Sequence, residues 1–435
     1  MRVKILILVG LLALVVGGFW FLFGRADVAR LSVDAVSGAK PKITDARKQT
    51  IPTIRIAKAV GWQDDAKPVA APGLFLTQFA GQLDHPRWLY ELPNGDVLVA
   101  ESNKPPTPPE GITDVVMGWL MNRAGAGVPS ANRITLLRDT NADGVADIRS
   151  VFLKGLNSPF GMALVGDRLF IGNHDAVVSF PYVPGQTAIT ARPTEIVKLP
   201  GGGNHWSKNI VASEDGRLLY VAVGSASNIG ERGMEAEDHR ANILEVSIEA
   251  KTMRIFASGL RNPVGMAWEP TSKALWTAVN ERDMLGSDLA PDYMTRVEFG
   301  GFYGWPHTYW GGYEDKRVEP RPDLLQYTKR PDYALGPHTA SLGLTFGSLG
   351  GFQNGMFVGQ HGSWNRVPVS GYKVVFVPFG ANGYPNGPMR DVLTGFLDKD
   401  GEAQGRPVGV IVDKAGGLLV ADDVGNRIWR VSAPR

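Results

Sequence analysis

Pro-Phe-Gly-Met-Ala at 159–163 returns as Pro-Val-Gly-Met-Ala at 263–267, and each copy runs through a short turn into an apolar strand. Looser echoes at 86–101, 208–224, 343–359 and 407–422 bring the unit to six occurrences. In the four looser copies alternating apolar residues lead into a turn carrying Asn-Gly, Asp-Gly or Gly-Gly and then a second β-rich run, the pattern of a hairpin, and the two close copies turn at Gly166-Asp167 and Pro270-Thr271. A strand pair that recurs along a whole chain buries its faces by stacking on its own copies, and radial stacking is the all-β solution. The repeat count predicts an all-β, six-bladed β-propeller over residues 73–435. A β-sandwich with similar turns is the competing fold.

A chain of 435 residues would ordinarily divide into two or three domains, but repeats borrow their core from neighbours and read as one. The formal net charge of +2, with no basic run interleaved with aromatics, argues against nucleic acid as a partner. The chain has no cysteine, which excludes disulfides, thiolate metal sites, iron–sulfur clusters and covalently attached c-type haem. Redox chemistry here needs a cofactor held without sulfur.

Arg2 and Lys4 precede twenty uncharged residues, Ile5 to Gly24, which end at Arg25. At about 1.5 Å per residue a helix of that length crosses a hydrocarbon core. Residues 1–25 are therefore expected to form an N-terminal transmembrane helix. It would anchor the chain in the inner membrane with the propeller facing the periplasm; a cleaved signal peptide is the alternative. Residues 26–72, with Pro41, Pro52, Pro68 and Pro72, read as a tether and leading segment.

Three constellations carry candidate chemistry. Gly201-Gly202-Gly203-Asn204-His205-Trp206 sets a histidine at a strand entrance, where a neutral imidazole suits removal of a hydroxyl proton. A histidine hydrogen-bonded in a turn fits the same letters. Gly259-Leu260-Arg261-Asn262-Pro263 pairs a bidentate cation with an amide, suited to carboxylates or a developing oxyanion, or else to an ion pair. Val279-Asn280-Glu281-Arg282-Asp283 is oxygen-rich enough to offer carbonyls and carboxylates to Ca²⁺, or to be a solvated loop.

The ordered set GGNHW, GLRNPVGMAW, VNERD, GGFYGWP, GQHGSWNR and GRPVG resembles the glucose/sorbosone dehydrogenase family, soluble-type quinoproteins that use pyrroloquinoline quinone and calcium. The resemblance implies a six-bladed propeller that oxidises an aldose or sugar aldehyde and passes electrons to an external acceptor, a cytochrome or a quinone. It implies His205 as general base and Arg261 with Asn262 beside the reactive carbonyl of the cofactor. It further implies backbone carbonyls of Asn280, Glu281 and Arg282 on the cofactor calcium, and Arg366 and Arg406 on cofactor carboxylates. Two departures bear on the substrate. Leu156, with Asn157 beside it, replaces a cofactor-contacting glutamine, and Gly336-Pro337-His338-Thr339 replaces an aromatic platform. Asn157 and His338 are taken as the contacts in those places, and the sorbosone-like branch fits best.

Separately, Asp139, Asn141, Asp143, Val145 and Asp147 have the 1, 3, 5, 7, 9 spacing of a calcium loop with Gly144 at its bend, but Ser150 replaces the closing glutamate. A structural calcium hairpin is expected there. Residues 103–131 read as an insertion whose helix sets Val115, Val116, Trp119 and Leu120 on one face, expected to cap the propeller. Two other functions stay open on the residues alone: a calcium-dependent, lactonase-like propeller hydrolase, and a non-catalytic binding propeller.

Overall fold

The computed structural model describes residues 26–109 and 111–434, so the expected membrane segment at 5–24 lies outside the described residues. Among the described residues no helix is long and apolar enough to cross a membrane. Six four-stranded antiparallel sheets follow one another around a ring. Their first strands are Pro86–Glu91, Met162–Val165, Ile210–Ala212, Asn262–Trp268, Ser341–Leu349 and Pro407–Val412 in blades 1 to 6. The six sequence repeats are thus the first two strands of the six blades. Blade 6 is completed from the other end of the chain: Phe75–Ala80 pairs with Arg427–Ser432, closing the ring with backbone hydrogen bonds.

The repeated Pro-x-Gly motif has a packing cause. A Cβ at Gly161 would run into the backbone of Asn209 and Ile210 in the next blade, and one at Gly343 into Val408 and Gly409. The glycines let successive first strands approach backbone to backbone around the axis. Between them Trp88, Phe160, Trp206, Val264, Leu342 and Val408, one from each blade, belong to a single apolar cluster. Ring centroids there lie 4.7 Å apart for Trp88 and Phe160 and 5.6 Å apart for Phe160 and Trp206. The axis is therefore filled by apolar side chains.

Because every blade is a four-stranded antiparallel meander, each first strand begins at the same end of the ring. The residues just before the plug, and the loops leaving each second strand, accordingly share one mouth. This is what brings Arg87, His205, Asn262 and Arg406 to one end of the molecule.

Residues 26–72 differ from the tether expected. Ser37–Gly38 adds a fifth strand to blade 4 beside Tyr333–Pro337, and Val69–Ala70 a fifth to blade 5 beside Arg390–Thr394. An unpaired sheet edge favours such additions. The Asp288 carboxylate accepts the N–H groups of Arg30 and Leu31 and pairs with Arg47 at 2.8 Å. From there the segment follows the rim: Arg55 N–H reaches Trp364 O at 2.9 Å and Trp62 Nε1 reaches Asp422 at 2.6 Å. The insertion helix, Ile112–Arg123, does not bury its apolar face as a cap would; Val115, Val116 and Trp119 are exposed.

Candidate active site

His205 is fixed from three directions. The Gly201–Gly203 turn is held by Arg240, whose Nη2 donates to the carbonyls of Gly201 and Gly202, and by His174, whose Nε2 accepts Gly202 N–H at 2.7 Å. Gly203 and Gly224 leave room for the crossing: a Cβ on Gly203 would meet Ala226, and one on Gly224 would meet both His205 and Asn262. His205 Nδ1 lies 2.8 Å from the Ser225 carbonyl, an obligate acceptor, so Nδ1 carries the proton and Nε2 the lone pair. Burial first, then the charge of Arg261, pull its pKa down to about 3. The ring is half-buried, at the mouth.

Arg261 and Asn262 begin blade 4 beside it. Arg261 Nε donates to Asn228 O at 3.2 Å, and Nη2 to Asn228 Oδ1 at 2.9 Å and Asp283 Oδ2 at 3.2 Å. Nη1 donates to Glu281 O at 2.6 Å and to Asn280 O at 3.4 Å. All five N–H groups are thus engaged, and what Arg261 offers the mouth is its charge. Asn262 differs: its Oδ1 is buried without a hydrogen-bond partner. Asp283 is held down to about 2; burial alone would raise it, but Arg261, His338 and Asn365 outweigh burial. His338 lies 3.7 Å from Asp283, with Nε2 3.0 Å from Gly286 O. Burial would lower its pKa, but the carboxylate raises it.

Across the mouth, blades 5, 6 and 1 supply a second cluster around Asp423. Arg87 pairs with it, His361 Nε2 donates to Oδ2 at 2.8 Å, and His85 Nε2 lies 3.5 Å away. Burial takes His85 down to about 4 and lowers His361. Arg406 Nη2 donates to Ala57 O at 3.2 Å and its guanidinium lies 4.9 Å from the Tyr372 ring. Beneath it Asp422 accepts Trp62 Nε1, Trp429 Nε1 and the N–H groups of Arg406 and Gly425. Nε of both Arg87 and Arg406 is buried without a partner. Buried, unpaired donors on two cations fit a polyanionic cofactor such as pyrroloquinoline quinone.

Of the residues read from sequence, His205, Arg261, Asn262, His338 and Arg406 converge on the mouth. Arg366 does not: its donors go to the carbonyls of Ser287, Pro368 and Leu31, so it pins the N-terminal segment to blade 5. Its neighbour Asn365 is the one that reaches the site, donating to Asp283 at 2.7 Å. Asn157 is exposed; its carbonyl accepts His174 N–H. A calcium on Asn280, Glu281 and Arg282 would share the Asn280 and Glu281 carbonyls with the Arg261 guanidinium, which donates to both. Arg282 is fully buried, donating to Glu281, Pro306 O and Thr308 O.

In the 139–147 loop, Asp139 accepts the N–H of Asp143 and Gly144, Asn141 that of Asp143, Asp143 that of Val145, and Asp147 that of Thr140. Among the described residues no group of three or more His, Cys, Asp or Glu side chains is arranged to hold a metal ion. Sequence reasoning missed Arg87, His85, Asn365 and Asp423, and read Asp283 only as part of an oxygen-rich calcium loop. Arg87 had a signal: it precedes Trp88 as His205 precedes Trp206.

The fold has counterparts in known proteins. A pyrroloquinoline quinone-dependent pyranose dehydrogenase of Coprinopsis cinerea is 27% identical, with 62% of this chain and 45% of that protein covered. This chain thus spans about half the length of that relative. The holo form of the pyranose dehydrogenase quinone domain from Coprinopsis cinerea superposes with a TM-score of 0.67 at 21% identity, covering 87% of this chain and all of the other. A calcium structure of the Trichoderma reesei family AA12 protein superposes at 0.69 with 18% identity, covering 88% and 99%. The family model described as TrAA12-like matches residues 68–293 and 324–434. The chain therefore belongs to the TrAA12-like family.

Proposed function

We propose that this chain is a pyrroloquinoline quinone-dependent oxidoreductase that oxidises an aldose or sugar aldehyde hydrate. The observation that carries the reading is the state of His205: neutral, its Nδ1–H spent on the Ser225 carbonyl, its Nε2 lone pair available beside Arg261 and Asn262. Nε2 accepts the proton of the substrate hydroxyl as the carbonyl forms at that carbon. Bound quinone supplies the two-electron acceptor that takes the hydride from the same carbon. Burial first, and then the charge of Arg261, keep the imidazole unprotonated, and Arg261 presents positive charge toward oxygen that becomes negative. Arg87 and Arg406 hold anionic groups of the cofactor, and Asn262 receives a donor. The names of the relatives support the same substrate class.

In this proposal residues 5–24 hold the enzyme at the inner membrane with the propeller on the periplasmic side, and electrons leave to an external cytochrome or quinone. The 139–147 loop is proposed as a structural calcium hairpin, separate from the chemistry. A lactonase-like reaction would need a channel calcium, and the blade 4 loop is unsuited to one. The test is dye-linked oxidation across aldoses and sugar aldehydes after reconstitution with the quinone, with His205→Ala alongside. Sugar-dependent bleaching that the variant abolishes supports the reading; a folded protein that binds no quinone ends it.

A further inference from the structure

The loop that leaves the second strand of blade 4 is gripped by two arginines. Nη1 of Arg261 donates to the carbonyls of Asn280 and Glu281, at 3.4 and 2.6 Å. Nη1 of Arg317 donates to those of Asp283 and Met284, at 2.8 and 3.2 Å. Four carbonyls of one five-residue turn thus face guanidinium donors. This is the turn on which the family resemblance places the cofactor's calcium.

We propose that Arg261 and Arg317 take the place of a divalent cation on this loop, so that the quinone site of this chain needs no metal there. The inference rests on the reading of the mouth as a quinone site. Ca²⁺ requires six to eight oxygen ligands, and here it would have to share its carbonyls with two cations. Neither arginine is free to leave. Arg261 has every N–H engaged, and Arg317 grips Asp315 through Nε at 2.8 Å and Nη2 at 2.6 Å. Asp315 is also reached by Arg282 at 3.4 Å, and Arg282 in turn holds Glu281 at 2.9 Å.

The charge is already balanced. Arg261, Arg282 and Arg317 stand against Asp283, Glu281 and Asp315, and these groups pair among themselves. In the quinone-free chain a doubly charged ion would leave that set with an excess of positive charge, before the carboxylates of the cofactor are counted. A planar guanidinium also offers what the ion would: fixed positive charge and the power to orient carbonyls.

The test measures quinone binding to the full chain in detergent, by tryptophan quenching, in excess EGTA and then in Ca²⁺. In parallel, calorimetry follows Ca²⁺ binding to the quinone-free Asp139→Ala/Asn141→Ala/Asp143→Ala variant, which lacks the side-chain oxygens at three of the hairpin positions. The expected result is a Kd that differs by less than about threefold between the two buffers, and no one-to-one calcium uptake by the variant. A loss of quinone affinity of about tenfold or more in EGTA that Ca²⁺ restores overturns the proposal, as does stoichiometric calcium binding by the variant. A chain that binds no quinone in either buffer sinks the functional reading, and the calorimetric arm still decides this one.

Discussion

The two sides of the mouth use the same residue type in opposite tautomers. His205, on the blade 3 side, spends Nδ1–H on a backbone carbonyl and keeps the Nε2 lone pair. His361, on the blade 5 side, has Nε2 on the Asp423 carboxylate at 2.8 Å. Both are half-buried near arginine and both have lowered pKa values, to about 3 for His205. Burial and charge alone therefore do not make a base. The position of the acceptor decides which nitrogen is left to react. The nearby carboxylate on the first side, Asp283, is turned onto Arg261 and Asn365 and not onto His205.

The largest effect should follow from removing the base. His205→Ala is expected to lower kcat/KM by about 10²–10⁴-fold with quinone affinity nearly unchanged, whereas His361→Ala should leave kcat largely intact. Equal losses of kcat in the two variants would erase the distinction. Next comes Asp423→Ala. It strands Arg87 with two imidazoles in a buried cluster and is expected to cost about 3–5 kcal/mol of stability, read as a lowered Tm. Asp283→Asn should cost less, since Arg261 keeps its carbonyl partners.

Smaller again is Arg406→Ala. The side chain has one donor on Ala57 O and an unpaired Nε. Its loss should weaken quinone binding by about 10- to 100-fold while kcat at saturating cofactor holds within a few-fold, measured by quenching and by dye reduction. A fall in kcat with affinity unchanged would move Arg406 from binding to chemistry.

The blade 3–4 side was largely legible in the sequence and the Asp423 side was not. His205, Arg261 and Asn262 sit in contiguous motifs with glycines whose spacing reports a close backbone crossing. The six-fold repeat announced the ring through a packing requirement, a glycine in the first strand where neighbours touch. Asp423, His361, Arg87 and His85 come from three blades and three distant stretches of chain, and only ring closure brings them together. Arg366 was misread because a basic residue in the right loop looks the same whether it faces the mouth or the backbone behind it. The leading segment was read as a tether because two-residue edge strands leave no periodicity to detect.

The finest expected effect is on pH. With the His205 pKa lowered to about 3, its base form persists through mildly acidic solution, so the acid limb of kcat/KM should fall well below the ordinary histidine value of 6.5. Arg261→Met removes the second cause of that lowering and should move the limb upward, toward 6.5, while the His361 environment is untouched. The stability consequence has the same origin. Below pH 6.5 the unfolded chain protonates His205 and His85, whereas the folded chain resists until about 3 and 4. The unfolded state then binds more protons, so stability contributed by these groups is complete above pH 6.5 and is lost as pH falls toward those values. Asp422, raised to about 6 by burial, acts with opposite sign between 3.8 and 6 and blunts the slope there. A limb at 6.5 or above in the unmodified chain would mean that His205 is as readily protonated as a free imidazole, and the contrast between the two sides of the mouth would fall.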